Sequence, residues 1–196
     1  KSHSTQQNLR LIAPCFLPSH SEANRQVMDK VLNHIENIIV EWFGEDKRLL
    51  RDILQILSEL GENVQHSQDY AYLMLQRYKK TYTADTTRIV INIVDLGLGI
   101  RYSLERQGLI DANLSDSECI LRALEKGVTG TGKKRGVGLD EVRYRALRNA
   151  EGSELRIRSG QGAVLLRPNE IICQDNLSNI PGVQIYLSIE GRQKLH

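Results

Sequence analysis

The chain has 196 residues, of which 40% are hydrophobic and 26% are charged, and its formal net charge is +2. This length and composition are typical of a single soluble globular domain that buries a core without disulfides or metal. The small net charge excludes a general attraction to nucleic acid or to an anionic membrane, so any basic patch must be local.

The N-terminal quarter is predicted to be an arm followed by a helix. Residues 1–20 are polar and interrupted by proline, and we expect a loose arm there. From Ser21, a candidate N-cap, apolar residues recur at three- and four-residue steps, which predicts a helix. After "GED", a second amphipathic helix is predicted over residues 47–67. We therefore expect an arm and helix over 1–46 and a main domain over 47–196.

The pattern changes from helical to extended after the second helix. "YAYLMLQRYKK" and "TRIVINIVD" predict strands, and a short helix is expected over residues 117–126. "LDEVRYRALRNA" predicts a further helix, and strand-like segments follow, of which "GVQIYLSI" is the last. This order predicts an α+β fold: a two-layer sandwich in which helices cover one face of a mixed, mostly antiparallel sheet, with an N-terminal helical extension.

The cysteines and the hydropathy pattern indicate the compartment. Cys15, Cys119 and Cys173 are odd in number and lack the spacing of a metal site, so we expect reduced thiols. No apolar run has the length of a membrane span, and no signal peptide is visible. These observations predict a cytoplasmic protein with no membrane segment in this chain.

The stretch "SELGENVQHS" places polar groups on one face of the second helix. Glu59, Asn63 and His66 stand at steps of four and three residues. A carboxylate there can orient or deprotonate a nucleophile, and an amide oxygen is a hard ligand for Mg²⁺. A solvated polar helix face explains the same residues, and this segment alone leaves both interpretations open. For His66 we expect a structural role.

The stretch "VDLGLGI" follows the second predicted strand. The strand ends at Asp95, and Gly97 and Gly99 come next. The carboxylate can accept a hydrogen bond from an exocyclic amine, and the glycines allow a flat base to approach the backbone. The alternative is an Asp-Gly-rich turn without a ligand.

The stretch "GVTGTGKKRGVGL", residues 127–139, holds five glycines and three consecutive basic residues. It approximates the phosphate loop G-x-x-x-x-G-K-[ST], but Lys134 stands where the hydroxyl belongs and the preceding residues have helical spacing. A glycine-rich backbone that leads into a helix still offers free N–H groups to phosphates. A flexible basic surface loop is the alternative.

In this order and at these separations, the three stretches resemble the boxes of the GHKL (Bergerat-fold) ATPase superfamily. That superfamily includes histidine-kinase catalytic domains, anti-sigma-factor serine kinases, the gyrase B subunit and the heat-shock ninety-class chaperones. "ELGEN" is similar to its asparagine box, "DLGLGI" to its first glycine box and "GTGKKRGVGL" to its second. The resemblance covers residues 51–189, and in compactness the chain is most similar to anti-sigma serine kinases and sensor-kinase catalytic domains.

The resemblance implies Mg-ATP as the ligand. By similarity, Asn63 would coordinate Mg²⁺ on the ATP phosphates, and Glu59 would be the general base or the carboxylate that positions water. Asp95 would accept a hydrogen bond from the adenine amino group. The other nucleotide contacts implied by similarity are Gly97, Gly99, Ile100, Thr129, Gly130, Thr131, Gly132, Lys133, Arg135, Gly136, Val137, Gly138 and Leu139.

Two further expectations come from the same resemblance. Residues 101–131 would form a mobile lid over the nucleotide. In the closing strand the superfamily usually carries Thr after Gly, whereas here Val183 follows Gly182. A hydroxyl near the adenine is thus missing, and we expect either weaker adenine binding or a water in its place.

The implied function is ATP hydrolysis, or transfer of the γ-phosphoryl group to a protein, in bacterial-type signalling or regulation. The alternative is a nucleotide-dependent switch or interaction module with little turnover. The expected partners are ATP and ADP, together with a partner protein or adjacent domain. The N-terminal helices are candidates for homodimer contacts. Nucleic acid is not expected, because the basic cluster has no interleaved aromatic residues.

Overall fold

The computed structural model describes residues 8–15, 22–43, 47–67, 71–79, 86–128, 138–148 and 152–192. The strands are β1 (Asn8–Cys15), β2 (Ala71–Lys79), β3 (Thr86–Asp95), β4 (Glu154–Gly160), β5 (Gly162–Arg167), β6 (Glu170–Gln174) and β7 (Ile180–Arg192). The helices are α1 (Glu22–Phe43), α2 (Lys47–Ser67), α3 (Gly99–Arg106), α4 (Asp116–Ala123) and α5 (Leu139–Leu147).

The strands form one sheet in the order β1-β2-β3-β7-β4-β5-β6. The predicted α+β fold of helices on a sheet is confirmed, but each described strand pair is antiparallel, so the expectation of a mixed sheet is wrong. The reason is the connections: β2–β3, β4–β5 and β5–β6 are joined by short links, and an antiparallel pair needs no crossover.

The core lies between one face of this sheet and the helices. Buried apolar side chains form rows across β3, β7 and β4. One row consists of Ile93, Ile185 and Ile157, and the next consists of Ile91, Leu187 and Leu155. Each of these side chains, when buried, contributes about 1.5–3 kcal/mol through removal of apolar surface from water. The rows fix the register, because a one-residue slip would turn them to the other face.

The two long helices were predicted correctly. α2 has the predicted bounds, and Ile53, Leu57 and Leu60 of its apolar stripe are buried. α1 packs against α2 and buries Ile35 and Ile38. Within the described part of the chain, no helix combines the length and apolar character needed to cross a membrane.

Two elements differ from the predictions. Residues 8–15 of the expected arm form β1, which pairs with β2 and joins the sheet of the main domain. Its segment contains Pro14, a residue that a sheet tolerates at an edge, where one side of the strand needs no partner. α3 begins inside the expected glycine-rich turn, and it forms because Ile100 and Leu104, four residues apart, are both buried.

A buried carboxylate joins α2 to α5. Asp52 is 0% exposed, and Arg145 Nη1 donates to its Oδ1 at 2.8 Å. Arg148 donates to Asp52 Oδ2 through Nε at 3.1 Å and to Oδ1 through Nη2. The hydrogen bond to Asp52 raises the pKa of Arg148 above its ordinary value. An ionised carboxylate removed from water is stable only with such partners, so the two helices are held at a fixed separation.

We expect Asp52→Ala to lower the free energy of unfolding by about 3 kcal/mol, because the substitution leaves two guanidinium groups without their buried partner. Urea denaturation followed by circular dichroism measures this change. Arg51→Ala, the exposed neighbour on the same helix, is the control and should change stability by less than about 0.5 kcal/mol. Equal losses in the two variants would contradict a specific role for Asp52.

Candidate functional site

Three side chains lie in a row at one end of the central strands. Asp95 ends β3 and lies opposite Val183 of β7, which in turn lies opposite Ser159 of β4. Paired residues of adjacent strands project from the same face, so the row lies on the helix-covered face beside the core. Asp95 is 8% exposed and Ser159 is 4% exposed. The apolar core therefore ends in a row in which two buried polar side chains, Asp95 and Ser159, flank the partly buried Val183.

The carboxylate of Asp95 is oriented by the turn that follows it. The backbone N–H of Gly97 donates to Asp95 Oδ1 at 2.7 Å, an Asx-type turn. Two residues later Gly99 begins α3 with a φ of +81°, a conformation that favours glycine. The predicted turn is thus present and fixes the direction of the Asp95 carboxylate, and the binding of a base there stays a prediction.

Gly182 allows β7 to pass against the end of β3. Its φ is +65°, and a Cβ atom there would lie 1.9 Å from the carbonyl oxygen of Asp95 and 2.8 Å from the backbone nitrogen of Gly97. Only glycine fits this approach. Sequence reasoning used Gly182 merely as the residue before Val183, because the closeness of two strands 87 positions apart has no local signal.

Ser159 joins three segments through its hydroxyl. Its Oγ donates to the carbonyl oxygen of Gly182 at 2.9 Å and accepts from the backbone N–H of Ile100 at 3.0 Å. The hydroxyl thereby ties β4 to β7 and to the start of α3. Sequence reasoning missed Ser159, since the alternation in "SELRIRSG" predicts a strand but gives no sign of the partners of its last inward side chain.

Glu59 and Asn63 lie one turn apart on α2. Gln55 Nε2 donates to Glu59 Oε1 at 2.9 Å, and Asn63 is exposed. α2 ends at Ser67, and β2 begins at Ala71, which lies opposite Asp95. Four residues span at most about 14 Å. The C-terminal end of α2 therefore lies near the strand ends at which Asp95 stands. His66 also falls in this last turn, and its side chain lies outside the described residues.

The second glycine-rich stretch is described only at its ends. Gly138 is the N-cap of α5, and Leu139 is its first residue and packs against the core. The first turn of α5 contains Asp140 and Glu141, whose carboxylates offset the positive helix end. The predicted contacts that lie outside the described residues are Thr129, Gly130, Thr131, Gly132, Lys133, Arg135, Gly136 and Val137.

The expected lid is, up to Val128, a packed layer on the sheet. α3 contacts β4 and β7, and α4 contacts β4 and β5. The residues of this layer that are buried are Ile100, Leu104, Ser117, Cys119, Ile120, Ala123 and Leu124. In this structure the apolar side chains of residues 101–128 form part of the core, and the mobility of a lid over a nucleotide stays a prediction. Residues 129–131 lie outside the described part.

Arg101 and Asp116 attach this layer to the β4–β5 turn. Arg101 Nε donates to Asp116 Oδ1 at 2.5 Å, and the backbone N–H of Gln161 donates to Asp116 Oδ2 at 2.7 Å. The hydrogen bond to Asp116 raises the pKa of Arg101. α4 also carries a complete capping box, in which Ser115 and Glu118 satisfy each other's backbone N–H groups.

Ser117 attaches the same layer to the end of β6. Its hydroxyl donates to Asp175 Oδ2 at 2.6 Å, and its backbone N–H donates to Asp175 Oδ1 at 2.9 Å. The hydrogen bond from the Ser117 hydroxyl lowers the pKa of the Asp175 carboxyl below its ordinary value. This ionised carboxylate therefore helps to hold α4 at neutral pH.

No family model matches the chain, and no curated protein sequence matches it. The resemblance to the GHKL superfamily accordingly depends on the order of the three stretches alone.

We expect Gly182→Ala to destabilise the fold by at least about 3 kcal/mol, because the new Cβ would overlap the carbonyl oxygen of Asp95. Gly108→Ala is the matched control. Gly108 has the same φ of +65° but nothing within 4 Å of its Cβ position. Gly108→Ala should therefore lower the free energy of unfolding only by the strain of an alanine in the left-handed conformation, which is about 1–2 kcal/mol. Thermal unfolding of both variants measures the difference, and equal losses would show that the close approach is absent.

We expect Ser117→Ala to raise the pKa of Asp175 towards the ordinary aspartate value of about 3.9. Because the folded-state pKa is lowered, Asp175 stabilises the fold above its unfolded-state pKa, and this contribution disappears as the pH falls through the folded-state pKa. NMR titration of the carboxyl carbon measures the change. Ser103→Ala, which removes a hydroxyl bonded to Gly99 instead, should leave the titration of Asp175 unchanged.

Proposed function

We propose that this chain is a Mg-ATP-binding domain of the GHKL type that hydrolyses ATP or transfers its γ-phosphoryl group to a protein. The observation that supports this best is the setting of Asp95. It is a buried carboxylate at the end of a central strand, oriented by the N–H of Gly97 and bordered by the close approach of Gly182. α2, the helix that carries Glu59 and Asn63, ends on the same side of the sheet.

The chemistry at Asp95 suits an adenine base. An ionised carboxylate only accepts hydrogen bonds, and adenine presents an exocyclic amino donor where guanine presents an oxygen. The backbone at Gly97 and Gly99 carries no side-chain bulk, so a flat ring can approach it. Leu96 and Leu98 are exposed beside this turn. Apolar surface around one fixed polar group is the usual composition of a cofactor site.

The chain direction of α5 supports a phosphate site at the same edge. α5 packs on β4 and ends at Leu147, shortly before β4 begins at Glu154. Glu154 lies at the end of β4 that is remote from Ser159. A helix that packs on the strand it precedes, after so short a connection, runs back along it. The start of α5, where the glycine-rich stretch enters it, therefore lies towards Ser159 and Asp95.

The residues on α2 fit a magnesium site. Mg²⁺ takes one or two protein oxygens and completes its shell with waters and phosphate oxygens, and the exposed amide of Asn63 can supply such an oxygen. When bound, Mg²⁺ would neutralise charge on the phosphates. Glu59 would orient or deprotonate the attacking water or hydroxyl, and the hydrogen bond from Gln55 restricts its rotamer.

The proposed role is regulatory and cytoplasmic. Phosphoryl transfer requires an acceptor, which we take to be a partner protein or an adjacent domain. Cys119 and Cys173 are free thiols, as in reducing compartments. Cys119 is buried, and its burial raises the pKa of its thiol, so it remains protonated at neutral pH and suits a structural position rather than a nucleophile.

Calorimetric titration with ATP and ADP, each with and without Mg²⁺, tests the binding site. We expect Mg²⁺-assisted ATP binding by the wild-type chain and a roughly thirtyfold loss in Asp95→Asn, since a hydrogen bond to a charged acceptor contributes about 2 kcal/mol. Asp111→Asn is the control, because Asp111 is an exposed aspartate in the α3–α4 connection. A wild-type chain that binds neither nucleotide would refute the proposal.

Measurements of ATP turnover distinguish an enzyme from a nucleotide switch. We expect Glu59→Gln to retain ATP binding and to lower turnover by a factor of about 10²–10⁴, the usual contribution of a positioned general base. Gln55→Ala, which removes only the partner of Glu59, should lower turnover less. ATP binding without measurable wild-type turnover would instead identify a switch module.

A further inference from the structure

We propose that Ser159 is a positioning residue of the base pocket, and that its hydroxyl holds the two backbone walls beside Asp95 at the spacing a base requires. This inference rests on the proposed function. It assigns to β4 a role that the three family-like stretches leave out, because Ser159 lies outside all of them.

The hydrogen bonds of Ser159 define this role. A serine hydroxyl has one donor and two acceptor positions. The donor is used on the carbonyl oxygen of Gly182 at 2.9 Å, and one acceptor position receives the N–H of Ile100 at 3.0 Å. Both partners are backbone groups, and Ser159 itself is 4% exposed. The hydroxyl therefore acts on the position of the two segments.

Both segments border Asp95. Gly182 lies so close that a Cβ atom on it would be 1.9 Å from the carbonyl oxygen of Asp95, and Ile100 follows the turn that orients the carboxylate. A Cβ atom on Gly99 would lie 3.0 Å from Ser159 Oγ and 3.4 Å from the carbonyl oxygen of Gly182. Removing the hydroxyl takes one hydrogen-bond partner from the buried N–H of Ile100 and one from the C=O of Gly182, and the strand end and the turn lose their common anchor.

The row of Asp95, Val183 and Ser159 explains why a valine can stand at position 183, where the resemblance leads us to expect a threonine. Val183 stands between Asp95 and Ser159, where the resemblance leads us to expect a threonine hydroxyl. In this chain a hydroxyl is present one strand further on, and it bonds to the residue immediately before Val183. The pocket thus has its hydroxyl on β4, and a second hydroxyl on residue 183 is not required for its shape.

The chain offers matched controls for this proposal. Ser188 is also a buried serine of the same sheet, at 3% exposure, but it lies on the other face, and its hydroxyl has no hydrogen-bond partner among the described residues. Ile157 precedes Ser159 by two residues on the same face of β4 and is buried. Ile157→Val removes one methyl group, which destabilises the fold and leaves the hydrogen bonds of Ser159 in place.

The experiment is calorimetric titration of ATP and ADP against wild type, Ser159→Ala, Ser159→Thr, Ser188→Ala and Ile157→Val. We expect Ser159→Ala to raise the Kd of both nucleotides about tenfold, and by the same factor, because ATP and ADP share the base and differ only at the phosphates. Ser159→Thr retains the hydroxyl and should stay within about threefold of wild type. Ser188→Ala and Ile157→Val should leave both Kd values unchanged.

Several results would overturn the inference. One is a Kd for Ser159→Ala equal to that of Ser188→Ala, and another is a loss in Ile157→Val as large as that in Ser159→Ala, which would trace the effect to stability. If Ser159→Ala does not fold, titration of Val183→Thr tests the inference instead. We expect the Kd values of Val183→Thr to equal those of wild type. A tenfold lower Kd would show that the pocket lacks a hydroxyl on β7 and would overturn the inference. A wild-type chain that binds no nucleotide refutes the proposed function itself, and the role of Ser159 falls with it.

Discussion

The buried carboxylate of Asp52 determines how α2 and α5 lie relative to each other. An ionised group without water must keep its hydrogen-bond partners, and two partners of Asp52 are Arg145 of α5 and Arg148 at the C-cap of the same helix. α2 carries Glu59 and Asn63 further along, and α5 begins where the glycine-rich stretch ends. The same ion pairs therefore join the helix that carries Glu59 and Asn63 to the helix that follows the glycine-rich stretch in the sequence.

The third segment is placed by the sheet. The rows of isoleucine and leucine across β3, β7 and β4 end in Asp95, Val183 and Ser159. The strand register that buries the apolar rows also buries Asp95 and Ser159. That burial is stable because Asp95 and Ser159 accept or donate hydrogen bonds to nearby backbone groups. Hydrophobic packing and site geometry are thus two results of one register.

Local patterns in the sequence predicted the elements whose chemistry is local. The stripe of α2 and the β-branched run of β3 specify a helix and a strand without help from the rest of the chain. β1 could not be predicted, because only pairing with β2, about sixty residues away, makes it a strand. The same reason hid Gly182 and Ser159: their roles arise from contacts with Asp95 and Ile100, which are distant in the sequence. Asp52 gave one usable signal, a carboxylate within an apolar helical stripe.

The packing of residues 99–128 divides the proposed site into two parts with different origins. We assign the base side to α3, β4 and β7, whose apolar side chains belong to the core, and we therefore expect its shape to be present before any ligand binds. The phosphate side draws on the exposed Asn63 and on the stretch that enters α5 at Gly138. Affinity for the base should then be a property of the fold, common to ATP and ADP. Under the proposed function we expect discrimination between the two nucleotides to come from the phosphate side, to which we assign α2 and the glycine-rich stretch.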